Sequence, residues 1–122
     1  MYTLTRTIEF DSAHQLRDYV GKCANLHGHT YKLAVSVQGE KLDKAGMVYD
    51  FVDMKGLLKE VSDELDHHFI NEIAPFDEIN PTAENIAAYI YQRLAPRLPT
   101  GVHLKQIELW ETPNCSVTYS ES

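Results

Sequence analysis

Two histidines and a cysteine lie close together in the run Cys23-Ala24-Asn25-Leu26-His27-Gly28-His29. In an extended segment, side chains at positions i and i+2 leave the same face about 7 Å apart. At that spacing, neutral ring nitrogens of His27 and His29 can converge on one Zn²⁺ ion. The pair therefore predicts a metal site.

The third ligand is expected to be His14. It closes the strand-like run 2–14 on the same parity as Leu4, Ile8 and Phe10, so its ring should lie on the core-facing side. Three histidines without an obvious fourth ligand are typical of a catalytic zinc site that keeps one position open. The alternative for any one of them is a hydrogen-bonded structural histidine at a strand end.

Three further groups of residues could perform or support chemistry. A dication beside Cys23 would stabilise the thiolate form of its side chain, although a free cysteine is more commonly a small buried hydrophobe. Asp66 can orient His67 and raise its basicity, or both can be solvated residues at a helix end. Glu111 shares a predicted strand face with apolar residues, so it needs a partner: either a guanidine-like ligand edge with two N–H donors, or a Lys or Arg side chain.

The elements that must position these residues follow from periodicity and turn signals. We expect an α+β domain in the order ββααββ, with two helices on one face of a four-stranded antiparallel sheet. Asn80 should cap the second helix, with Pro81 at its first position. The predicted elements are strand 2–14, a strand near 29–40, a helix over 51–65, a helix ending before Pro96, and strands around 104–111 and 115–119.

The predicted strand around 104–111 bears on whether the chain assembles into an oligomer. Leu104 and Trp110 are expected to point away from Ile107 and Leu109, which would leave apolar side chains on the sheet face that the helices do not cover. Such a face would be buried by other subunits. We therefore expect an oligomer.

Composition sets the remaining bounds. The chain has 122 residues, is 43% hydrophobic and carries no linker or repeat, so residues 1–122 are expected to form a single domain. Its net charge of −7, with scattered Lys and Arg, argues against nucleic acid or an acidic membrane as a partner. No apolar signal core or membrane span is evident, so we expect a cytoplasmic protein whose Cys23 and Cys115 are free.

Taken together, the motifs resemble those of the 6-pyruvoyl-tetrahydropterin synthase family over nearly the whole chain. The Cys23-to-His27 gap of three residues and the Asp50-Phe51 pair are similar to the bacterial 6-carboxy-5,6,7,8-tetrahydropterin synthases of queuosine biosynthesis. The pyruvoyl-forming branch has a longer gap. A folate-related branch has a Glu near the position of the Cys, whereas no Glu lies between Lys22 and His29 in this chain. The other matching motifs are Ser12-Ala13-His14, Leu65-Asp66-His67-His68, Pro81-Thr82-Ala83-Glu84-Asn85 and Trp110-Glu111-Thr112.

The resemblance implies the tunnelling fold (T-fold), in which three subunits form a barrel, two trimers stack as a hexamer, and the active site lies between subunits. It implies zinc held by His14, His27 and His29, a pterin ring anchored by Glu111, and proton transfer by Cys23 with the Asp66-His67 pair of a neighbouring subunit. The implied reaction is a lyase reaction that converts 7,8-dihydroneopterin triphosphate to 6-carboxy-5,6,7,8-tetrahydropterin, with loss of triphosphate and acetaldehyde.

The triphosphate requires local positive charge in an acidic protein, and three basic residues lie near the zinc-binding segment. We expect Arg17, Lys22 and Lys32 to contact it. Two alternatives stay open: a 6-pyruvoyl-tetrahydropterin synthase with the same catalytic residues, and a non-catalytic zinc- or pterin-binding module.

Overall fold

The computed structural model describes residues 1–121 and contains one four-stranded antiparallel sheet, with strands in the order β1-β2-β3-β4. Two α-helices lie between the second and third strands in sequence, which confirms the predicted ββααββ order. The elements are β1 (Tyr2–His14), β2 (His27–Gly39), α1 (Phe51–Ser62), α2 (Ala83–Leu94), β3 (His103–Thr112) and β4 (Cys115–Tyr119). Three single-turn 3₁₀ segments occupy Lys22–Ala24, Ile70–Glu72 and Ala95–Arg97.

The core lies between the helices and one face of the sheet. On the two longest strands, Phe10 pairs with Tyr31 and Ile8 with Leu33, so their alternating apolar residues share this face. Removal of these large side chains from water contributes most of the stabilisation. The largest fully buried side chains include Tyr31, Leu33, Met54, Leu58, Leu65, Ile70, Phe76, Ile86, Ile90, Leu94, Ile107 and Leu109.

Helix α1 begins where Asp50 caps it. The Asp50 carboxylate accepts a hydrogen bond from the backbone N–H of Val52 at 2.8 Å, which satisfies one of the free donors of the first turn. The helix ends at Ser62, shorter than predicted, and Leu65 is buried from the turn that follows. Within residues 1–121, neither helix is long and apolar enough to cross a membrane.

The predicted cap of α2 was wrong. Thr82, not Asn80, is the N-cap, and its hydroxyl accepts from the N–H of Asn85 at 3.2 Å. Pro81 therefore precedes the cap rather than occupying the first helical position. The Asn80 side chain is engaged elsewhere, because it pairs with the backbone of Arg17.

The prediction for the outer sheet face was also wrong in part. The β2–β3 register shifts between Ser36 and Val37, and this irregularity brings Leu104 opposite Val37 and against the core. Trp110 does face away from the helices, opposite Lys32. Its neighbours on that face are mainly hydroxyl, amide and charged side chains: Thr3, Thr5, Thr7, Glu9, Thr30, Ser36, Gln106 and Glu108. The outer face is thus largely polar.

Candidate active site

The register of β1 and β2 brings the three candidate zinc ligands together. His14 pairs directly with His27, and His29 lies opposite Ser12, two positions further along. All three rings lie on the helix-facing side, and one ring nitrogen from each lies within 4.8 Å of the other two. This grouping requires β2 to begin at His27, two residues before the predicted start.

The outer hydrogen bonds of two of these histidines determine which nitrogen faces the cluster. Nδ1 of His14 donates to the Pro81 carbonyl at 2.8 Å, and Nδ1 of His27 donates to the Asn25 carbonyl at 2.7 Å. In the neutral rings, both Nε2 atoms then carry lone pairs, and these atoms lie only 2.9 Å apart. Two facing lone pairs repel each other unless a cation lies between them.

The third ring gives the same indication. Nε2 of His29 is buried and has no hydrogen-bond partner in the described part of the chain. A buried polar atom without a partner is costly, and in the tautomer that leaves a lone pair on Nε2 a metal ion would satisfy it. Three converging imidazole nitrogens, two of them oriented by carbonyl oxygens, fit Zn²⁺.

Burial also favours the metal-binding protonation state. Desolvation lowers the pKa of both His14 and His29 below the ordinary value for histidine. The nearby Glu111 carboxylate acts in the opposite direction on each ring, but the net direction is downward. At neutral pH these rings are therefore neutral and able to act as ligands.

Sequence reasoning did not identify the groups that orient His14. The Pro81 carbonyl accepts from its Nδ1, and the buried Tyr31 hydroxyl lies 3.3 Å from the same atom. Burial raises the pKa of Tyr31 far above its ordinary value, so the hydroxyl stays protonated. The alternation along β2 places Tyr31 in the core, but only the folded chain shows where its hydroxyl points.

Glu111 lies beside the histidine cluster. Its Oε1 is 3.6 Å from Nε2 of His29, and the side chain is about one-quarter exposed. No Lys or Arg nitrogen within residues 1–121 forms an ion pair with it, so the predicted alternative of a Lys or Arg partner is not realised. Two clefts, of about 500 and 350 Å³, meet at this carboxylate. Glu111 is therefore available to a ligand.

Cys23 lies in the 3₁₀ turn Lys22–Ala24, half-buried and free, and Cys115 is also free. The backbone carbonyl of Cys23 accepts a hydrogen bond from the Leu16 N–H at 2.9 Å, which links this turn to the segment that follows His14. The Cys23 sulfur is not part of the close group of metal-binding atoms. The arrangement thus separates a three-imidazole cluster from a nearby thiol.

Asp66 and His67 form the predicted pair. Nδ1 of His67 lies 3.0 Å from Oδ2 of Asp66, and Oδ1 of Asp66 accepts from the Asp11 N–H at 2.9 Å. Desolvation acts to raise the pKa of Asp66, but the hydrogen bonds from Asp11 and His67 bring it below its ordinary value. His67 adopts a left-handed backbone (φ 57°), and its side chain is 77% exposed. The oriented imidazole thus faces outward.

The three basic residues proposed for the triphosphate have different environments. The Arg17 guanidinium donates to the carbonyls of Phe76 and Ile79, at 2.7 and 3.1 Å. Lys32 Nζ lies 4.9 Å from the centroid of the Trp110 ring, at the 500 Å³ cleft beside Glu111. Lys22 is exposed next to Cys23. Each of the three thus has different neighbours: backbone carbonyls for Arg17, the Trp110 ring for Lys32 and solvent for Lys22.

Comparison with known proteins agrees with this geometry. The family model described as 6-pyruvoyl tetrahydropterin synthase matches residues 3–122. A Haemophilus influenzae protein named 6-carboxy-5,6,7,8-tetrahydropterin synthase is 38% identical over 144 aligned positions, covering 99% of this chain and 100% of that protein. A Pyrococcus furiosus protein named dihydroneopterin monophosphate aldolase is 43% identical over 102 positions, covering 84% of this chain and 82% of that one.

A solved structure leads to the same family. The 6-pyruvoyl tetrahydropterin synthase of Caenorhabditis elegans superposes with a TM-score of 0.88 at 31% identity, covering 99% of this chain and 96% of that one. The four-stranded sheet with its two helices is therefore the T-fold expected from the motifs. The chain belongs to the 6-pyruvoyl tetrahydropterin synthase family.

Proposed function

We propose that this protein is a zinc-dependent 6-carboxy-5,6,7,8-tetrahydropterin synthase. It acts on 7,8-dihydroneopterin triphosphate in queuosine (7-deazaguanine) biosynthesis. The observation that carries the proposal is the cluster of three imidazoles directly beside the Glu111 carboxylate: within residues 1–121, one ring nitrogen of the cluster has no hydrogen-bond partner and the carboxylate pairs with no Lys or Arg. Near full-length similarity to proteins of that name supports the choice among related reactions.

His14, His27 and His29 would hold the zinc ion. When bound, zinc polarises hydroxyl groups of the substrate side chain and so acidifies the neighbouring C–H bonds. Glu111 would bind the guanidine-like edge of the pterin ring through two charge-assisted hydrogen bonds. The clefts that meet at this carboxylate leave room for the ring and for its side chain.

Protons must leave and return to carbon atoms of the substrate side chain. Cys23, as a thiolate at Sγ, can accept one proton and give it back. His67 has its Nδ1 occupied by Asp66, so its Nε2 is the atom free for a second transfer. Two such groups allow removal of a proton on one face and return on another.

The triphosphate needs positive charge along the same path. Lys32 is held against Trp110 at the cleft beside Glu111, and Lys22 extends from the Cys23 turn into solvent. Arg17 already donates to two backbone carbonyls, so its phosphate contact would use its remaining N–H donors. We propose that the three residues bind successive parts of the extended triphosphate rather than one phosphate group.

The proposal includes an oligomer. A general acid or base that is 77% exposed needs a neighbour to exclude water around the reacting atoms. We propose that the Asp66–His67 pair serves the site of an adjacent subunit, within a homohexamer built as a dimer of trimers. The cytoplasm, where the substrate and product would be used, is the proposed location.

The product composition tests this function. The proposed reaction consumes one water and yields triphosphate, acetaldehyde and 6-carboxy-5,6,7,8-tetrahydropterin, so oxidation of the side chain balances reduction of the ring. Purified, zinc-loaded protein should give all three products from 7,8-dihydroneopterin triphosphate, as identified by mass. The control is the same incubation with His27→Ala protein, which should give none of them.

Other products would point to the alternatives. A tetrahydropterin that retains all side-chain carbons, with triphosphate but no acetaldehyde, would identify a 6-pyruvoyl-tetrahydropterin synthase. The similarity to the Pyrococcus furiosus aldolase makes a third reaction testable with dihydroneopterin monophosphate. That cleavage would leave the ring at the dihydro level and the phosphate on the aldehyde fragment. Stoichiometric pterin binding without turnover would indicate a non-catalytic module.

A further inference from the structure

Two asparagine side chains hold the segment that leaves β1. Oδ1 of Asn71 accepts from the Gln15 N–H at 2.9 Å, while Nδ2 of Asn71 donates to the Gln15 carbonyl at 2.8 Å. Asn80 makes the same pair of bonds with Arg17, each at 2.9 Å. Each side-chain amide thus satisfies both backbone groups of one residue, as a neighbouring strand would.

The segment held in this way is in turn bonded to the turn that carries the thiol. Leu16 N–H donates to the carbonyl of Cys23 at 2.9 Å. The Gln15 side chain donates from Nε2 to the carbonyl of Ala24, also at 2.9 Å. The Cys23 turn has no side-chain cap of its own, and Gly21, which precedes it, has an unusual backbone conformation (φ 147°).

The two hydrogen bonds between the Asn71 side chain and the Gln15 backbone, here called the clamp, also lie at a favourable position along the chain. Asn71 lies four residues after His67, in the 3₁₀ segment Ile70–Glu72. The preceding turn is bound to β1 through Ser12, whose hydroxyl contacts the carbonyls of Leu65 and His68 at 2.6 and 2.8 Å. Asn71 therefore connects the segment that bears the Asp66–His67 pair with the segment that supports Cys23.

We propose that Asn71 and Asn80, acting through Gln15 and Leu16, are positioning residues for the Cys23 thiol. Within residues 1–121, neither asparagine side chain forms a hydrogen bond with the metal ligands or Glu111. Instead they hold an otherwise irregular loop at a defined distance from the histidine cluster, as proton transfer in a fixed geometry requires. The inference rests on the role proposed above for Cys23.

Alkylation of Cys23 tests this positioning without depending on turnover. Zinc-loaded protein is treated with iodoacetamide over a range of pH, and modification of each cysteine is followed by peptide mass. Cys115 is exposed and provides an internal reference in the same sample. In Asn71→Ala, we expect Cys23 to react several-fold faster relative to Cys115, because the freed turn exposes its half-buried sulfur.

Kinetics provide the second readout. Asn71→Ala should lower kcat about tenfold or more while KM changes less than about threefold and zinc stays stoichiometric, as expected when geometry rather than binding is lost. Gln15→Ala removes only the exposed hydrogen bond from Gln15 Nε2 to the Ala24 carbonyl. It should change the Cys23 alkylation rate and kcat in the same directions as Asn71→Ala, but less strongly. This second variant serves if Asn71→Ala does not fold. Gln38→Ala is the matched control, since it removes one exposed hydrogen bond, from the Gln38 side-chain amide to the Thr3 hydroxyl, at the far end of β2.

Specific results would overturn the proposal. Unchanged Cys23 alkylation and unchanged kcat in Asn71→Ala and Gln15→Ala would show that the clamp does not position the thiol. Loss of zinc from either folded variant would mean that the clamp supports the metal site instead. If Cys23→Ala keeps full activity, the proposed role of the thiol fails, but the alkylation result still reports on the clamp.

Discussion

At the scale of single residues, the site depends on which groups already have partners. The outer nitrogens of His14 and His27 each donate to a carbonyl oxygen. Within residues 1–121, by contrast, Nε2 of His29 has no hydrogen-bond partner, and Glu111 forms no ion pair with Lys or Arg. Unsatisfied groups that converge at one place are costly to fold, and they persist where a ligand completes them. The metal and the pterin ring would complete two different parts of this cluster.

Glu111→Gln separates those parts. An amide offers one neutral acceptor where the carboxylate offers two charged ones, so affinity for a non-reactive pterin should fall about 10- to 100-fold, while zinc content stays the same. Calorimetry with the pterin and metal analysis of the same protein measure both. The control is Glu108→Gln on the opposite face of β3, where the side chain accepts from Ser116. Unchanged pterin affinity in Glu111→Gln would remove this residue from the binding site.

At the scale of elements, the two helices are joined by one well-formed ion pair. Glu64, just after α1, accepts two hydrogen bonds from Arg93 of α2, at 3.0 and 2.7 Å, and one from the Tyr89 hydroxyl at 2.6 Å. The Arg93 hydrogen bonds, with that of Tyr89, hold the pKa of Glu64 below its ordinary value of 4.5, against the effect of burial. A carboxyl with a lowered pKa stabilises the fold above its unfolded-state pKa.

We therefore expect Glu64→Gln to lower the melting temperature by about 2 °C at pH 7, a small effect because both partners are partly exposed. The difference from the unmodified protein should hold down to about pH 4.5 and then shrink as the pH falls through the lowered pKa of Glu64. Glu60→Gln is the control, since its 3.7 Å contact with Arg97 is more exposed and should matter less. A difference that grows in acid would contradict this assignment.

The elements also show where sequence reasoning succeeds and where it fails. Alternation predicted β1 with its observed ends, and the shared parity of His14, His27 and His29 predicted their common face. Asn80 and Thr82 are both good capping residues, and the choice was decided by a bond from Asn80 to Arg17, 63 positions before it in sequence. Leu104 was assigned to the wrong face because a β-bulge is not visible in an alternating pattern.

At the scale of the whole molecule, two exposed features bear on the proposed assembly. The Asp66–His67 pair faces solvent, and the sheet face opposite the helices is lined by polar residues around Trp110. A polar face does not demand burial in the way an apolar one does, so the proposed assembly depends on the exposed Asp66–His67 pair. In a barrel formed by the sheets of several subunits, this polar face could line a water-filled interior.

Light scattering tests the assembly. We expect the mass of a hexamer at micromolar concentration, with trimers as the dissociation product on dilution. A monomer under those conditions, in a protein that turns over substrate, would show that one chain suffices for the active site. The shared-site arrangement would then be wrong, and His67 would act on its own protomer.

The proposed roles of the three imidazoles as zinc ligands and of the Cys23 thiol in proton transfer are tested most directly by Cys23→Ala. We expect this variant to keep stoichiometric zinc and bind a pterin normally, while kcat falls about 100-fold or more, the usual scale for losing a general acid or base. His27→Ala, measured alongside, should lose the metal and all turnover, because two ligands hold zinc poorly. If Cys23→Ala instead lost its zinc, Cys23 would be a fourth ligand, the site would be structural, and the proposed catalytic function would be contradicted.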